Sequence, residues 1–341
     1  MQRDLLVTAS PHIYDPNTVK RAMLDVIIAL LPAALLSVYL FGLNALLILI
    51  IAPVAAVASE IFVRRSIGRP MVYRDLSAVV AGVILALNLP AGVPWWMPAV
   101  GAFVAVAFAK ELLGGIGMNM FNPALVGRAF LHVSWSIPMT TWLVPFWWKD
   151  TGFFDLATTQ IRGHDVTISS LQGGELDGAT GATPLALIRP AFSTGEELPG
   201  HFEMFLGNTG GSLGETSALA LLLGGLYLLW RSQIDWRIPV SVIGGVAVMA
   251  LLVGGNPLFH ILAGGVFLGA FFMATDWVTS PVTKLGRVIF GVGIGVMTVL
   301  IRTYGGFPEG VCYAILLMNG LVPLIDQYTR PRPLGARAVT G

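Results

Sequence analysis

MLDVIIALLPAALLSVYLF (Met23–Phe41) is followed, after a single glycine, by LNALLILIIAPVAAVASEIFV (Leu43–Val63). At 1.5 Å per residue each run is long enough, as a helix, to cross a hydrocarbon layer of about 30 Å. The same reading along the 341 residues predicts ten helices, at 23–41, 43–63, 76–90, 95–113, 122–136, 214–231, 237–254, 256–275, 285–303 and 309–327. The third, ending at Asn88-Leu89-Pro90, and the fifth, beginning at Asn122-Pro123, are short enough to be half-helices. Such breaks survive in a membrane only where protein buries the freed backbone. Composition agrees: 55% of the residues are hydrophobic and 11% charged, against about 25% charged in soluble domains, and the mean hydropathy is +0.76. The expected fold class is therefore an all-α polytopic membrane protein.

A net charge of +1 gives no case for a nucleic-acid partner, and the lipid bilayer is the partner the composition demands. Cys312, the single cysteine, excludes an internal disulfide, a CxxC metal site and an iron–sulfur cluster ligated wholly by this chain. Met1–Arg21 is polar, without a short apolar core and small-residue cleavage site, so the first helix is expected to be retained.

Counting Lys and Arg by alternate connections puts fifteen on one side, from Arg3 to Arg337, and four on the other: Lys149, Arg162, Arg189 and Arg302. Arg128 is read as lying in a helix near its cytoplasmic end, free to snorkel. By the positive-inside rule both termini are cytoplasmic and 137–213 faces outward. The chain is expected to divide into a first five-helix repeat, 1–136, an outer loop region, 137–213, and a second five-helix repeat, 214–341. An odd number of helices makes the second copy inverted. A weak echo supports the repeat: Gly114-Gly115 before Asn122–Gly127 resembles Gly305-Gly306 before Glu309–Ala314. The loop region opens with Trp142, Phe146, Trp147 and Trp148, suited to an interface, and is expected to fold onto the outer mouth of the bundle.

Within that region lies Asp177-Gly178-Ala179-Thr180-Gly181-Ala182-Thr183-Pro184-Leu185. Thr183-Pro184 reads as a helix start, with Thr183 as N-cap and Pro184 at the first helical position. Taken locally, the threonine caps a helix and the glycines make turns. A phosphate ester on the same hydroxyl would also be favoured by the free N–H groups beside it.

The pattern resembles the flavinylation motif of one membrane family. That family is shared by the D-type subunits of the Rnf ion-translocating oxidoreductases and the B-type subunits of the sodium-translocating NADH:quinone reductases. The Asp-Gly-x-Thr-Gly-Ala-Thr-Pro motif, the Asn122-Pro123-Ala124 and Gly305–Gly310 junctions and the ten-helix plan together extend the resemblance over nearly the whole chain. It favours the Rnf type, because a longer N-terminal extension used near the quinone is not seen here. The resemblance implies a multi-subunit complex of the bacterial inner membrane that passes electrons between ferredoxin and NAD while moving Na+ or H+. It implies FMN joined to Thr183 through a phosphoester by a dedicated flavin transferase, with Asp177, Gly178, Thr180, Gly181 and Ala182 completing the motif. It also allows a noncovalent riboflavin.

Two Gly-rich junctions are the further candidates for cofactor contact. On the Thr183 side, Arg302 could meet a phosphate, and Tyr304 or Phe307 could stack on a flavin ring. On the other side, Asn119 and Asn122, with Arg128, surround a helix start suited to the polar edge of a second flavin. Turn chemistry and helix capping explain the same residues. The chain carries no HExxH, Walker or Gly-x-Ser-x-Gly pattern, and no residue is assigned as catalytic or metal-ligating. His132 and His260 read as hydrogen-bonded packing residues. Glu60, Lys110, Glu111, Arg128, Asp276 and Asp326 lie near helix ends, which points to ion movement shared with other subunits. Two other classes fit the same bundle, a small-solute channel or carrier without redox chemistry and a structural anchor for partner subunits; neither gives the Thr183 hydroxyl a purpose.

Overall fold

The computed structural model describes residues 18–70, 75–162, 165–170, 183–187, 199–305 and 309–331. Two long helices come first, α1 (Val19–Phe41) and α2 (Leu43–Ile67), joined at Gly42, whose φ of 67° reverses the chain in one residue. The half-helices α3 (Ser77–Leu87) and α5 (Pro123–Ser134) flank α4 (Trp96–Val106), which runs on into a π-turn over Ala107–Glu111. The later helices are α6 (Ala218–Trp230), α7 (Arg237–Leu252), α8 (Pro257–Leu262), α9 (Val266–Leu268, continued by a π-turn over Gly269–Met273), α10 (Lys284–Tyr304) and α11 (Val311–Thr329). Helix is present at all ten expected positions. Four of these helices, α1, α2, α10 and α11, are long and apolar enough to cross a membrane unaided.

Close packing sets where the half-helices lie. A Cβ on Gly82 of α3 would come within 2.5 Å of Pro53 Cα in α2, so the two backbones touch. The freed carbonyls at the end of α3 are taken up by a distant strand-like segment: Gly214 N donates to Leu87 O at 2.7 Å and Leu213 N to Leu89 O at 3.0 Å. This is how a broken helix stays buried without unpaired backbone. α5 begins as expected, with Asn122 Oδ1 accepting from Ala124 N at 3.1 Å and Pro123 at the first position.

The structure corrects three readings. The helix expected over 256–275 is broken at 263–265, where Gly264 has φ +66° and Arg302 takes the carbonyls of His260 and Ala263. The outer region is not wholly without regular structure: β1 (Ala157–Arg162) and β2 (Asp165–Ser170) form an antiparallel hairpin. Asn44 anchors it, donating to Ala157 O at 2.5 Å and Ala91 O at 3.0 Å. Arg128 does not snorkel; it is buried and ion-paired, as described below. The aromatic cluster folds onto the end of α1, with Trp142 and Trp147 buried and Trp148 Nε1 donating to Leu40 O at 3.2 Å.

Candidate functional site

Thr183 is 4% exposed. It leads a single described helical turn, Pro184–Leu187, and what holds that turn down is Leu185. Leu185 packs with Met204, Phe259 and Ala263 in a small cluster separate from the main core. Beside it lies a small pocket lined by Thr183, Leu185, Gly210, Gly211, Glu215, Gly264 and Glu309, among others. Gly211 is the roomy wall: a Cβ there would meet nothing closer than 3.9 Å. Gly264 is the tight one, since a Cβ would lie 2.7 Å from Leu185 Cδ1 and 3.1 Å from Arg302 Nη2.

The pocket floor is ionic. Arg128 Nη1 donates to Asn88 Oδ1 at 2.7 Å and pairs with Glu215 Oε1 at 3.0 Å, while Nη2 pairs with Glu309. Sequence reading missed this cluster, because its members come from α5, the loop after α3, the segment before α6 and the start of α11. The available signal was an arginine inside an apolar run with carboxylates at the mouths of two others. His132 behaves as expected of a hydrogen-bonded packing residue, its Nδ1 meeting Tyr313 Oη at 2.7 Å; His260 is buried too, but its Nδ1 has no hydrogen-bond partner among the described residues.

A second cleft, with a cavity of about 120 Å³, is lined by Asn119, Asn122, Lys110, Ser77, Asp276 and the rings of Phe271, Phe272 and Trp277, with other apolar residues. It also touches Met23 of α1, whereas the Thr183 side approaches Ser37, whose Oγ meets Leu213 O at 2.5 Å. Asn122 is engaged in structure, donating to Met273 O at 3.1 Å. Asn319, in the amide orientation that satisfies it, accepts from Asn122 N and donates to Thr279 O. Burial raises the Asp276 carboxyl above its ordinary value, despite hydrogen bonds from Thr279 and Asn119. Beside the cleft, Glu60, Arg64, Lys110 and Glu111 form a buried network, with Lys110 Nζ 2.7 Å from Glu60.

Of the expected site residues, Thr183 lines one pocket, with Arg302 beside its Gly264 wall, and Asn119 and Asn122 line the other. Arg128, grouped with the asparagines by sequence, lines neither pocket but pairs with Glu215 and Glu309 of the Thr183 one. The Arg302 guanidinium is buried against the carbonyls of His260 (2.5 Å) and Ala263 (2.8 Å), and Tyr304 is 75% exposed. Asp177, Gly178, Thr180, Gly181, Ala182 and Phe307 lie outside the described residues.

Broken helices, paired backbone breaks and two internal pockets define a polytopic helical membrane protein with a buried, ion-paired centre. The chain belongs to the NQR2, RnfD, RnfE family, whose profile matches residues 6–335. It is 44% identical, over 98% of its length and 97% of the relative's, to the D-type subunit of the Na(+)-translocating ferredoxin:NAD(+) oxidoreductase complex of Acetobacterium woodii. It is 42% identical to the D-type subunit of the proton-translocating ferredoxin:NAD(+) oxidoreductase complex of Clostridium ljungdahlii, over 97% of this chain and 96% of that one. The D-type subunit of the ion-translocating oxidoreductase complex of Stutzerimonas stutzeri is likewise 42% identical, over 94% of each chain.

Proposed function

We propose that this chain is the D-type membrane subunit of an Rnf complex, an ion-translocating ferredoxin:NAD oxidoreductase, and that it carries FMN on Thr183. Full-length relatives bearing that name support the first part. The ion is Na+ or H+, since relatives of similar identity carry one name and the other. The observation that carries the second part is Thr183 itself: the last threonine of the motif is buried at the rim of a pocket with open space at Gly211. In this reading Thr183 holds the phosphoester at the pocket's rim and the flavin ring lies beyond it. Bound there, FMN supplies a carrier that takes electrons singly or in pairs. The chain's own part is to anchor that carrier through Thr183 and Leu185, with Arg302 near the phosphate end. Asp177, Gly178, Thr180, Gly181 and Ala182 serve recognition by the flavin transferase, and Tyr304 offers a ring to the flavin.

In this reading both termini face the cytoplasm, the membrane is the bacterial inner membrane, and 137–213 is periplasmic. Residues 1–136 and 214–341 are inverted five-helix repeats. The cleft at Asn119 and Asn122 then opens toward the cytoplasm and suits a noncovalent riboflavin, with three aromatic residues in its walls and amides at its edge. A solute channel leaves the Thr183 hydroxyl without a role. The test is in-gel fluorescence of the denatured chain, co-expressed with the transferase. A covalent flavin survives denaturation, so wild type should glow and Thr183→Ala should be dark; a dark wild type rejects the proposal.

A further inference from the structure

The Thr183 pocket has a charge arrangement that the flavin motif does not explain. Two of its lining residues, Glu215 and Glu309, are carboxylates. Glu215 is 7% exposed, and Glu309 Oε1 is buried with no hydrogen-bond partner among the described residues. Inside a membrane bundle such a wall would repel any anion placed beside it, and the repulsion is strong where water is excluded. Arg128, 6% exposed, sits behind both carboxylates and touches both. It is held in place from a third side by Asn88, whose chain segment in turn pairs with the 212–214 strand leading to Glu215. The other guanidinium nearby, Arg302, donates to backbone carbonyls on the opposite wall. On the remaining side α5 and α11 present His132, paired with Tyr313, and the Cys312 thiol against Leu125 O.

We infer that Arg128 is a positioning residue of the Thr183 site: it binds the Glu215 and Glu309 carboxylates and offsets part of their charge, so that the pocket tolerates a phosphoester on Thr183. With Arg128 and Arg302 both present, the two cations balance the two carboxylates before the phosphate arrives. Without Arg128, a phosphate would face two carboxylates and a single guanidinium. Reduction of a nearby flavin adds electron density, so the Arg128 charge also holds its potential up. This inference rests on the reading of Thr183 as the flavin anchor.

The test uses the full-length chain co-expressed with the transferase, as Arg128→Met, Arg128→Lys, Glu309→Gln and the Arg128→Met/Glu309→Gln pair. The readouts are covalent flavin per chain on denaturing gels and the flavin midpoint potential by spectroelectrochemical titration. Arg128→Met is expected to lower flavin content and shift the potential downward. Glu309→Gln is expected to shift it upward, and the double variant to return toward wild type. Arg128→Lys should stay near wild type. Should Arg128→Met fail to fold, the upward shift in Glu309→Gln and the retained potential in Arg128→Lys carry the test. Wild-type potential in Arg128→Met or Glu309→Gln, a shift of the same sign in both, or a double variant no closer to wild type than Arg128→Met overturns the inference. These outcomes need a flavin on the wild-type chain; its absence from Thr183 rejects the flavin reading itself.

Discussion

Truncating Leu185 to Ala should release the Thr183 turn while leaving the bundle folded. Leu185 is 4% exposed, and its cluster with Met204, Phe259 and Ala263 is separate from the main core. Removing a buried leucine costs about 2–5 kcal/mol, the low end applying where the site can collapse. Four residues at a pocket rim can collapse, so about 2–3 kcal/mol is expected, and it falls on the docked segment alone. At about 1.4 kcal/mol per tenfold, amide exchange of that segment should speed up roughly 30- to 150-fold. Hydrogen exchange read by mass spectrometry in detergent should place the change in peptides over 183–187 and 201–206, with α1 and α10 unaltered. Gly264→Ala should act on the same peptides from the opposite wall. It forces a left-handed residue to carry a side chain, costing about 1–2 kcal/mol, and presses on Leu185 Cδ1. Leu131→Ala is the contrast, since Leu131 is fully buried in the main core and fills the space beside Gly101. Its effect should be a lower melting temperature of the whole bundle. Unchanged exchange over 183–187 in Leu185→Ala, or a change spread through α1 and α10, would refute the picture of a separately docked turn.

Asp25 in α1 accepts from Tyr227, Arg231 and Gln233 at 3.0–3.3 Å, so Asp25→Ala should cost roughly 1.5–3 kcal/mol, seen as a lower melting temperature in detergent. At Asp235, burial would raise the carboxyl, but the Arg237 backbone N–H and the Arg287 and Arg237 guanidiniums outweigh it and hold the group below its ordinary value. That contribution is present above the unfolded-state pKa and is lost as pH falls through the lower folded-state value. Asp235→Asn should therefore reduce stability at neutral pH and narrow its difference from wild type in acid, where equal differences at both pH values would contradict the assignment. With Cys312 replaced, a single cysteine near Glu175 should react with an impermeant thiol reagent from outside intact cells, and one near Gly335 should not; the reverse pattern would invert the proposed topology.

Much of the bundle was legible because bilayer thickness sets helix length, and because Asn-Pro at 122–123 and Asn-Leu-Pro at 88–90 announce backbone breaks. The break at 263–265 was not. Gly264 and Gly265 lie in an apolar run, glycine is common in packed membrane helices, and the cause is Arg302 nearly forty residues away. At the candidate site the Thr183 hydroxyl could be read from its motif, whereas its burial depends on Met204 and Phe259, which carry no chemical signal of their own. The Arg128 cluster was illegible for the same reason: Arg128 and Glu215 are 87 positions apart, and only the pairing of the 87–90 and 212–214 segments brings them together. Helix-end placement of charged residues therefore misled in this case. Distance from the end of an apolar run does not say whether a side chain turns toward lipid headgroups or toward a partner across the bundle.

The most direct measurement is peptide-mapped mass spectrometry of the wild-type chain, co-expressed with the flavin transferase. The account predicts one FMN-sized addition, on the peptide containing Thr183, and none in Thr183→Ala, whose bundle should still be folded because losing a helix cap costs only about 0.5–2 kcal/mol. An unmodified wild-type chain, or an addition on any other residue, would contradict it.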